Sequence, residues 1–186
     1  MMKKRSAGIL AWRSGADGPE VFLVHPGGPF WKNKDDGAWS IPKGEIDPDE
    51  EPLSAAQREF QEETGQKIGG TFTPLTPVKI ASGKVIEAWA IEHDLDASAI
   101  TSNTFEMEWP PRSGQKQAFP EVDRAAWFSG PIALQKITRG QVPLLVQLLE
   151  KLGAPTPPAQ PPATSKRQPA RSGTAARRTA APKRTR

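Results

Sequence analysis

The chain has 186 residues, a length that suits one domain with an appendage. It contains no cysteine, which excludes disulfide frameworks, cysteine metal sites and cysteine nucleophiles. The formal net charge of +4 conceals two unlike parts, because residues 154–186 carry eight basic and no acidic residues. That leaves 17 of the 25 basic residues, against all 21 acidic ones, for residues 1–153. We therefore expect an acidic globular part and a basic tail.

The N-terminus begins with basic residues, but its apolar run, residues 7–12, is too short for a signal peptide and ends at Arg13. No stretch approaches the roughly 20 apolar residues that a membrane-spanning helix needs. Together with the lack of cysteine, these features predict a cytoplasmic protein without a membrane segment.

Residues 5–12 and 20–25 predict the first two β-strands, and residues 14–19 between them have the glycine, proline and aspartate of a turn. Apolar residues occupy both faces of the second segment. This pattern is typical of a strand covered on two sides, so we expect it in the interior of a sheet.

Residues 26–37 predict a loop, because prolines and glycines interrupt any regular pattern. Phe30 and Trp31 lie within this loop and offer aromatic surface. Residues 39–42 then predict a short strand that leads into an acidic segment.

Residues 52–64 predict an amphipathic helix that starts with a proline and ends at Gly65. Leu53, Ala56 and Phe60 form an apolar stripe along it. This stripe can pack against a sheet and leaves the remaining faces for polar residues.

Three acids of this helix, Glu59, Glu62 and Glu63, stand at positions i, i+3 and i+4 and crowd one face. Like charges at this spacing repel, so the cluster destabilises the bare helix. A divalent cation would remove that penalty, because Mg²⁺ and Mn²⁺ prefer carboxylate oxygens. An ordinary acidic surface helix is the alternative interpretation.

The pattern after this helix predicts further strands, a loop and two helices. The predicted strands are residues 71–80, 85–92 and 104–109, the loop is residues 112–120, and the helices are residues 131–137 and 141–153. Strands interrupted by one helix, with two more helices at the end, predict an α+β fold. We expect this domain to cover residues 1–153.

We expect several aromatic residues and both histidines to have structural roles. Trp39, Trp89 and Trp127 sit in strand-like contexts that favour packing. His25 and His93 end or follow strands without a partner motif, so we interpret both as structural.

The tail, residues 154–186, is rich in proline, arginine and alanine and has almost no large apolar residues. Such a segment cannot bury a core, so we expect it to be disordered. Its basic residues favour weak, salt-sensitive binding of nucleic acid through phosphate contacts. A solubilising tail without a dedicated partner is an equal alternative.

The acidic segment carries a motif of eight residues at fixed spacing: Gly44, Glu50, Arg58, Glu59, Phe60, Glu62, Glu63 and Gly65. This arrangement resembles the signature of the Nudix (MutT-like) hydrolases, G-x5-E-x7-R-E-U-x-E-E-x-G-U, in which U is apolar. The one departure is Gln66 at the last apolar position, which concerns packing rather than chemistry. The resemblance implies a mixed β-sheet sandwiched between helices.

Nudix enzymes hydrolyse a nucleoside diphosphate linked to another group, with divalent metals bound by the motif. The resemblance therefore implies a nucleotide substrate and an Mg²⁺ cofactor, which Mn²⁺ could replace. A cation is also required physically, because an acidic pocket would otherwise repel a polyphosphate.

The resemblance further implies metal ligands. Glu62 and Glu63 would bind the metal, and Glu59 would act either as a ligand or as the general base. The backbone carbonyl of Gly44 would also contact a metal.

Arg58 would orient a motif carboxylate through a bidentate pair, with Glu50 as its expected acceptor. A further ligand in this family often lies on a loop before a strand near the C-terminal end. We expect it to be Glu121, six residues before Trp127. The alternatives are Asp123, Glu106 and Glu108.

Residues 39–44 (Trp-Ser-Ile-Pro-Lys-Gly) are similar to the W-x-x-P-K-G segment of dinucleoside polyphosphate hydrolases and some related triphosphatases. By this resemblance Lys43 contacts phosphate, and an aromatic side chain stacks on a base. Phe30 and Trp31 are the expected stacking residues, with Trp109 as an alternative. The expected substrate is a dinucleoside polyphosphate or a nucleoside triphosphate. A non-catalytic nucleotide sensor and an RNA 5′-end hydrolase are the alternative functions.

Overall fold

The computed structural model describes residues 5–156, which form nine strands, three α-helices and one short 3-10 helix. The strands are β1 (Arg5–Gly15), β2 (Gly18–Pro26), β3 (Lys43–Glu45), β4 (Thr73–Pro74), β5 (Val78–Lys79), β6 (Val85–Glu92), β7 (Thr104–Glu108), β8 (Lys116–Pro120) and β9 (Val122–Ser129). The helices are α1 (Pro52–Thr64), α2 (Gly130–Lys136) and α3 (Val142–Lys151), with the 3-10 helix Arg139–Gln141 before α3.

Strand β1 is the centre of a seven-stranded mixed sheet. It pairs in parallel with β6 and antiparallel with β2 and β3. Strand β2 lies between β1 and β9, the interior position that its apolar faces predict. Because Gly44 of β3 pairs with Ala7 of β1, the sheet fixes the place where the acidic motif starts.

Helices cover both faces of the sheet. Phe60 of α1 is fully buried and packs near Phe22 of β2, with ring centroids 6.2 Å apart. On the opposite face, α2 and α3 bury leucines such as Leu145 and Leu148. The predicted α+β fold, a mixed sheet between helices, is confirmed.

Helix α1 has the predicted bounds. Its last turn ends at Gly65, whose φ of 73° is a conformation that favours glycine. At its start, the side chain of Glu51 accepts a hydrogen bond from the N–H of Leu53. The motif acids therefore sit on a rigid helix whose apolar stripe is anchored in the core.

Three predicted segments are wrong in detail. Residues 39–42, predicted as a strand, form only isolated bridges at Trp39 and Ser40, and the strand β3 follows them. Residues 112–120, predicted as a loop, contain β8, which pairs with β7 in a separate two-stranded hairpin. The side chains of β8 are mostly exposed, so its sequence has no alternating apolar pattern. The strand forms through its pairing with β7. Residues 71–80, predicted as one strand, form two short ones, because prolines lack the N–H that a continuous ladder requires.

No helix within residues 5–156 is long and apolar enough to cross a membrane. The predicted disordered tail lies outside the described residues, except for its first three positions.

We expect Phe60→Ala to lower the free energy of unfolding by about 3–5 kcal/mol, because removal of a fully buried ring leaves a cavity. Phe30→Ala is the matched control: the same change at a side chain that is 57% exposed should cost less than about 1 kcal/mol. Urea unfolding followed by circular dichroism measures both. Equal losses in the two variants would contradict the packing of α1.

Candidate active site

One guanidinium holds the acidic motif together. Arg58 of α1 donates Nε and Nη2 to the two carboxylate oxygens of Glu50, at 2.9 and 2.8 Å. Its Nη1 donates to Glu59 at 2.8 Å and reaches Glu62 at 3.3 Å. Nη2 also donates to the backbone carbonyl of Glu45 at 3.1 Å. The expected bidentate pair with Glu50 is present, and the same cation links it to the acids of α1.

This pair is charged throughout the physiological pH range. The bidentate bond from Arg58 lowers the pKa of Glu50, and Glu50 in turn raises the pKa of Arg58. Both side chains are partly shielded, with 33% and 19% of their surface exposed. Their attraction is therefore screened less than that of a fully exposed pair.

The carboxylate of Glu59 lies directly against the backbone of Gly44. A β-carbon at position 44 would stand 1.9 Å from Cδ of Glu59, so only glycine leaves room for this side chain. Burial raises the pKa of Glu59, opposed by Arg58 and reinforced by the charges of Glu62 and Glu121. Glycine at position 44 is thus needed for the carboxylate of Glu59 to occupy this position.

Glu63 is the most perturbed acid of the site. Burial raises its pKa to about 8, although the nearby positive charge of Lys43 lowers it and Glu59 and Glu121 raise it further. One of its oxygens accepts a hydrogen bond from the backbone N–H of Lys43 at 3.1 Å. This bond ties the end of residues 39–44 to α1.

Glu121 lies close enough to α1 for its charge to raise the pKa of both Glu59 and Glu63. Asn103 connects the two elements through its backbone. Its N–H donates to the carbonyl of Glu62 at 2.9 Å, and its carbonyl accepts the N–H of Glu121 at 2.8 Å. The backbone of Asn103 therefore links Glu121 to the motif helix.

The three alternatives to Glu121 have other surroundings. Asp123 pairs with the imidazole of His25 at 2.8 Å. Glu106 and Glu108 are exposed on β7, and Glu108 accepts the N–H of Gly114 at 2.9 Å. These placements support Glu121 as the further ligand.

His25 has a partner that the sequence did not reveal. Its buried ring lies 2.8 Å from Asp123 through Nδ1 and 2.8 Å from the carbonyl of Lys34 through Nε2. The pair joins the loop of residues 26–37 to β9.

The aromatic residues expected to stack on a base differ in availability. Phe30 is 57% exposed and meets Trp109 edge to face, with ring centroids 5.6 Å apart. Trp31 is partly buried against the core, with Nζ of Lys34 4.5 Å above its ring. Trp39 is 5% exposed, which confirms its predicted packing role. Phe30 and Trp109 together offer the freer aromatic surface.

The family model described as the NUDIX domain matches residues 2–137. The chain belongs to the Nudix family of hydrolases. The match includes Glu121 and all of residues 44–65, so the candidate site lies within the Nudix domain.

Solved structures share this Nudix fold. The NUDIX domain of Shewanella oneidensis NrtR, complexed with ADP ribose, has a TM-score of 0.59 at 19% identity over 82% of this chain and 90% of its own. A C. elegans Ap4A hydrolase complex has a TM-score of 0.54 at 20% identity over 81% and 98%. The C-terminal domain of mouse MUTYH, bound to human PCNA, has 0.52 at 15% over 85% and 95%. At these identities the likeness concerns the fold.

The carboxylates of α1 and Glu121 are the kind of oxygen ligand that a hard divalent cation prefers. Glu59, Glu62, Glu63 and Glu121 can supply carboxylate oxygens, the carboxylate of Glu59 lies against the backbone of Gly44, and Glu59 and Glu63 have raised pKa values. Yet no three acidic or histidine side chains within residues 5–156 already form a complete metal-binding group. Arg58 engages Glu59 and Glu62, so those two carboxylates would have to turn from it to bind a metal.

Sequence reasoning missed two contributors, Asn103 and Glu45. Both act here through backbone atoms, Asn103 in the bridge to Glu121 and Glu45 as an acceptor for Arg58. Backbone groups belong to every residue, so no residue-type signal could have found them.

We expect Gly44→Ala to preserve the fold but to weaken Mn²⁺ binding by about 10–100-fold, because the added methyl group displaces the carboxylate of Glu59. Gly69→Ala is the matched control, since nothing lies within 4 Å of a β-carbon there. Calorimetric Mn²⁺ titration and thermal melts test both. Parental Mn²⁺ affinity in Gly44→Ala would contradict the steric account.

The raised pKa of Glu63 predicts a pH dependence of the metal-free protein. Glu63 keeps its proton in the folded state up to about pH 8 but loses it near pH 4.5 when unfolded. Stability should therefore fall as pH rises from about 5 to 8, by at most about 1.4 kcal/mol per pH unit. Urea unfolding in chelator at several pH values measures this slope, which Glu63→Gln should flatten. An identical slope in Glu63→Gln would argue against this residue as the source.

Proposed function

We propose that this Nudix protein is an Mg²⁺-dependent hydrolase that cleaves a phosphoanhydride bond of a dinucleoside polyphosphate or a nucleoside triphosphate. One observation carries the proposal: the acids of α1 and Glu121 share a site in which Arg58 is the only guanidinium bound to them within residues 5–156. Burial raises the pKa of Glu59 and Glu63, and the charges of neighbouring acids raise both further. A divalent cation would offset that charge.

In this proposal Glu59, Glu62, Glu63, Glu121 and the carbonyl of Gly44 would hold the metal. When bound, the metal neutralises substrate phosphates, polarises the attacked phosphorus and lowers the pKa of water. Manganese, which has similar preferences for oxygen ligands, would replace magnesium.

The protein groups have separate tasks. Glu59, with its raised pKa, would either bind the metal or accept the proton of the attacking water, and Gly44 leaves room for its carboxylate. Arg58 acts as a positioning residue, because its guanidinium is occupied by Glu50 and the acids of α1. Lys43, whose charge already influences Glu63, would bind a substrate phosphate.

The substrate class rests on residues 39–44 and on the aromatic pair. Phe30 and Trp109 would stack on a nucleobase, which suits a nucleotide substrate without strict base selection. Two structural neighbours, one named as an Ap4A hydrolase and one complexed with ADP ribose, support a nucleotide derivative. The lack of cysteine is consistent with the cytoplasmic location expected from the sequence.

We expect Glu62→Gln to reduce Mg²⁺-dependent turnover at least about 100-fold with an unchanged thermal melt, because the substitution removes a metal-binding charge but keeps the shape. Glu92→Gln, an exposed acid at the end of β6, is the control and should retain parental turnover. A panel of nucleotides assayed with Mg²⁺ and Mn²⁺, with products identified, provides the measurement.

Full turnover in Glu62→Gln would contradict the proposal of a metal-dependent hydrolase. Nucleotide binding without turnover in the parent protein would favour the alternative, a non-catalytic Nudix-fold sensor. Release of pyrophosphate from 5′-triphosphorylated RNA, but not from free nucleotides, would favour the RNA 5′-end alternative.

We also propose that the basic tail gives the enzyme weak affinity for nucleic acid, on the strength of its eight basic residues. Ala154 packs against the core and its N–H bonds to the carbonyl of Leu149, so a clean truncation removes residues 157–186. We expect this truncation to weaken RNA binding and to flatten its salt dependence. Unchanged affinity across a salt series would remove the tail from the mechanism.

A further inference from the structure

A second cavity lies on the sheet face opposite α1. Its volume is about 550 Å³, and it is bounded by loop residues 32–35, strand β9 and the end of α2. Its floor is aromatic, because Trp39 and Phe128 meet edge to face with ring centroids 4.8 Å apart. Both belong to the core region under α2 and α3, whereas the motif acids lie on α1, which covers the other face. The cavity is therefore separate from the acidic site.

The lining of this cavity has four positively charged side chains and one carboxylate, that of Asp35. Its positively charged side chains are Lys32, Lys34, Arg124 and Lys136. Lys136 pairs with two carboxylates, because its Nζ contacts Asp35 at 2.5 Å and Asp36 at 2.7 Å. This group leaves one negative charge, which Lys32, Lys34 and Arg124 together exceed.

Those three cations make few direct ion pairs within residues 5–156. Lys32 has no ion pair there, and Lys34 places its ammonium 4.5 Å over the ring of Trp31 instead of near a carboxylate. Arg124 reaches Asp123 only at 3.9 Å, and that carboxylate is already bound by His25. Residues 1–153 carry more acids than bases, so this excess of positive charge is local.

The segment that carries the lysines is anchored. The buried ring of His25 bonds to the carbonyl of Lys34 at 2.8 Å, and Nη2 of Arg124 donates to the same carbonyl at 3.4 Å. The indole N–H of Trp39 donates to Asp35 at 2.8 Å. The backbone beneath the cations is thereby fixed, so an anion would meet charges on a preformed frame.

We propose that this cavity is a second anion site, which binds the phosphate or pyrophosphate group of a small ligand independently of the catalytic metal. Arginine binds phosphate oxygens through paired N–H groups and lysine as a point charge, so this set suits the ligand. The volume accommodates a free pyrophosphate and also a nucleoside diphosphate, which share this chemistry.

The test is a titration of the full-length, ¹⁵N-labelled protein with inorganic pyrophosphate in the presence of a chelator. Without divalent metal the acidic site repels anions, so binding reports on the second cavity. We expect saturable NMR shift changes at residues 32–35, residues 124–128 and the indole of Trp39. The double variant Lys32→Gln/Lys34→Gln should weaken binding about tenfold or more, because it removes two charged contacts.

Lys67→Gln is the matched control, because Lys67 is exposed just after α1 and does not line the cavity. It should bind pyrophosphate as the parent does. A parallel titration with ADP distinguishes the sources: tighter binding than pyrophosphate identifies a nucleotide ligand, and equal binding identifies the phosphate group alone. Either result supports the site.

Non-saturating shifts, shifts centred on Lys43 and α1, or parental affinity in the double variant would overturn the proposal. The double variant should also retain parental hydrolysis of the preferred nucleotide at saturating substrate. Because the titration contains no divalent metal, its failure is distinct from failure of the hydrolase proposal.

Discussion

Arg58 is surrounded by more carboxylate than one guanidinium can neutralise, and the organisation of the site depends on this imbalance. Nε and Nη2 of Arg58 bind both carboxylate oxygens of Glu50, and Nη1 is shared between Glu59 and Glu62. Glu63 receives a hydrogen bond from the backbone N–H of Lys43 and has a pKa of about 8. The fold therefore groups more carboxyl groups than Arg58 can neutralise. Such an arrangement is costly for stability and is understandable as a cation-binding function.

The framework around Arg58 keeps these acids together in spite of their repulsion. The buried ring of Phe60 anchors α1 in the core, so the helix cannot move away from the sheet. Pairing of β3 with β1 sets Gly44 beneath Glu59, where any larger residue would collide with the carboxylate. The backbone of Asn103 brings in Glu121 from a distant part of the chain. The interactions that stabilise the fold are thus the ones that enforce the unfavourable proximity of the charges.

The sequence predicts those features of the site that depend on residue type at short range. Helix α1 and its end at Gly65 follow from local spacing, and the family resemblance implies the pair between Arg58 and Glu50. Hairpin strand β8 could not be predicted, because its exposed side chains carry no periodic signal and its partner β7 provides the pairing. The cationic cavity was also missed, since Lys34 and Arg124 are 90 positions apart and meet only in the folded sheet.

The central claim is that the carboxylates grouped around Arg58 bind a divalent cation. Crystals soaked in Mn²⁺, measured at a wavelength where manganese scatters anomalously, test this claim most directly. The expected result is one or more anomalous peaks within about 2.0–2.5 Å of oxygens from Glu59, Glu62, Glu63 or Glu121, with at least one of the α1 carboxylates turned from Arg58. Peaks confined to other surfaces, with the bonds of Arg58 to Glu59 and Glu62 unchanged, would contradict it.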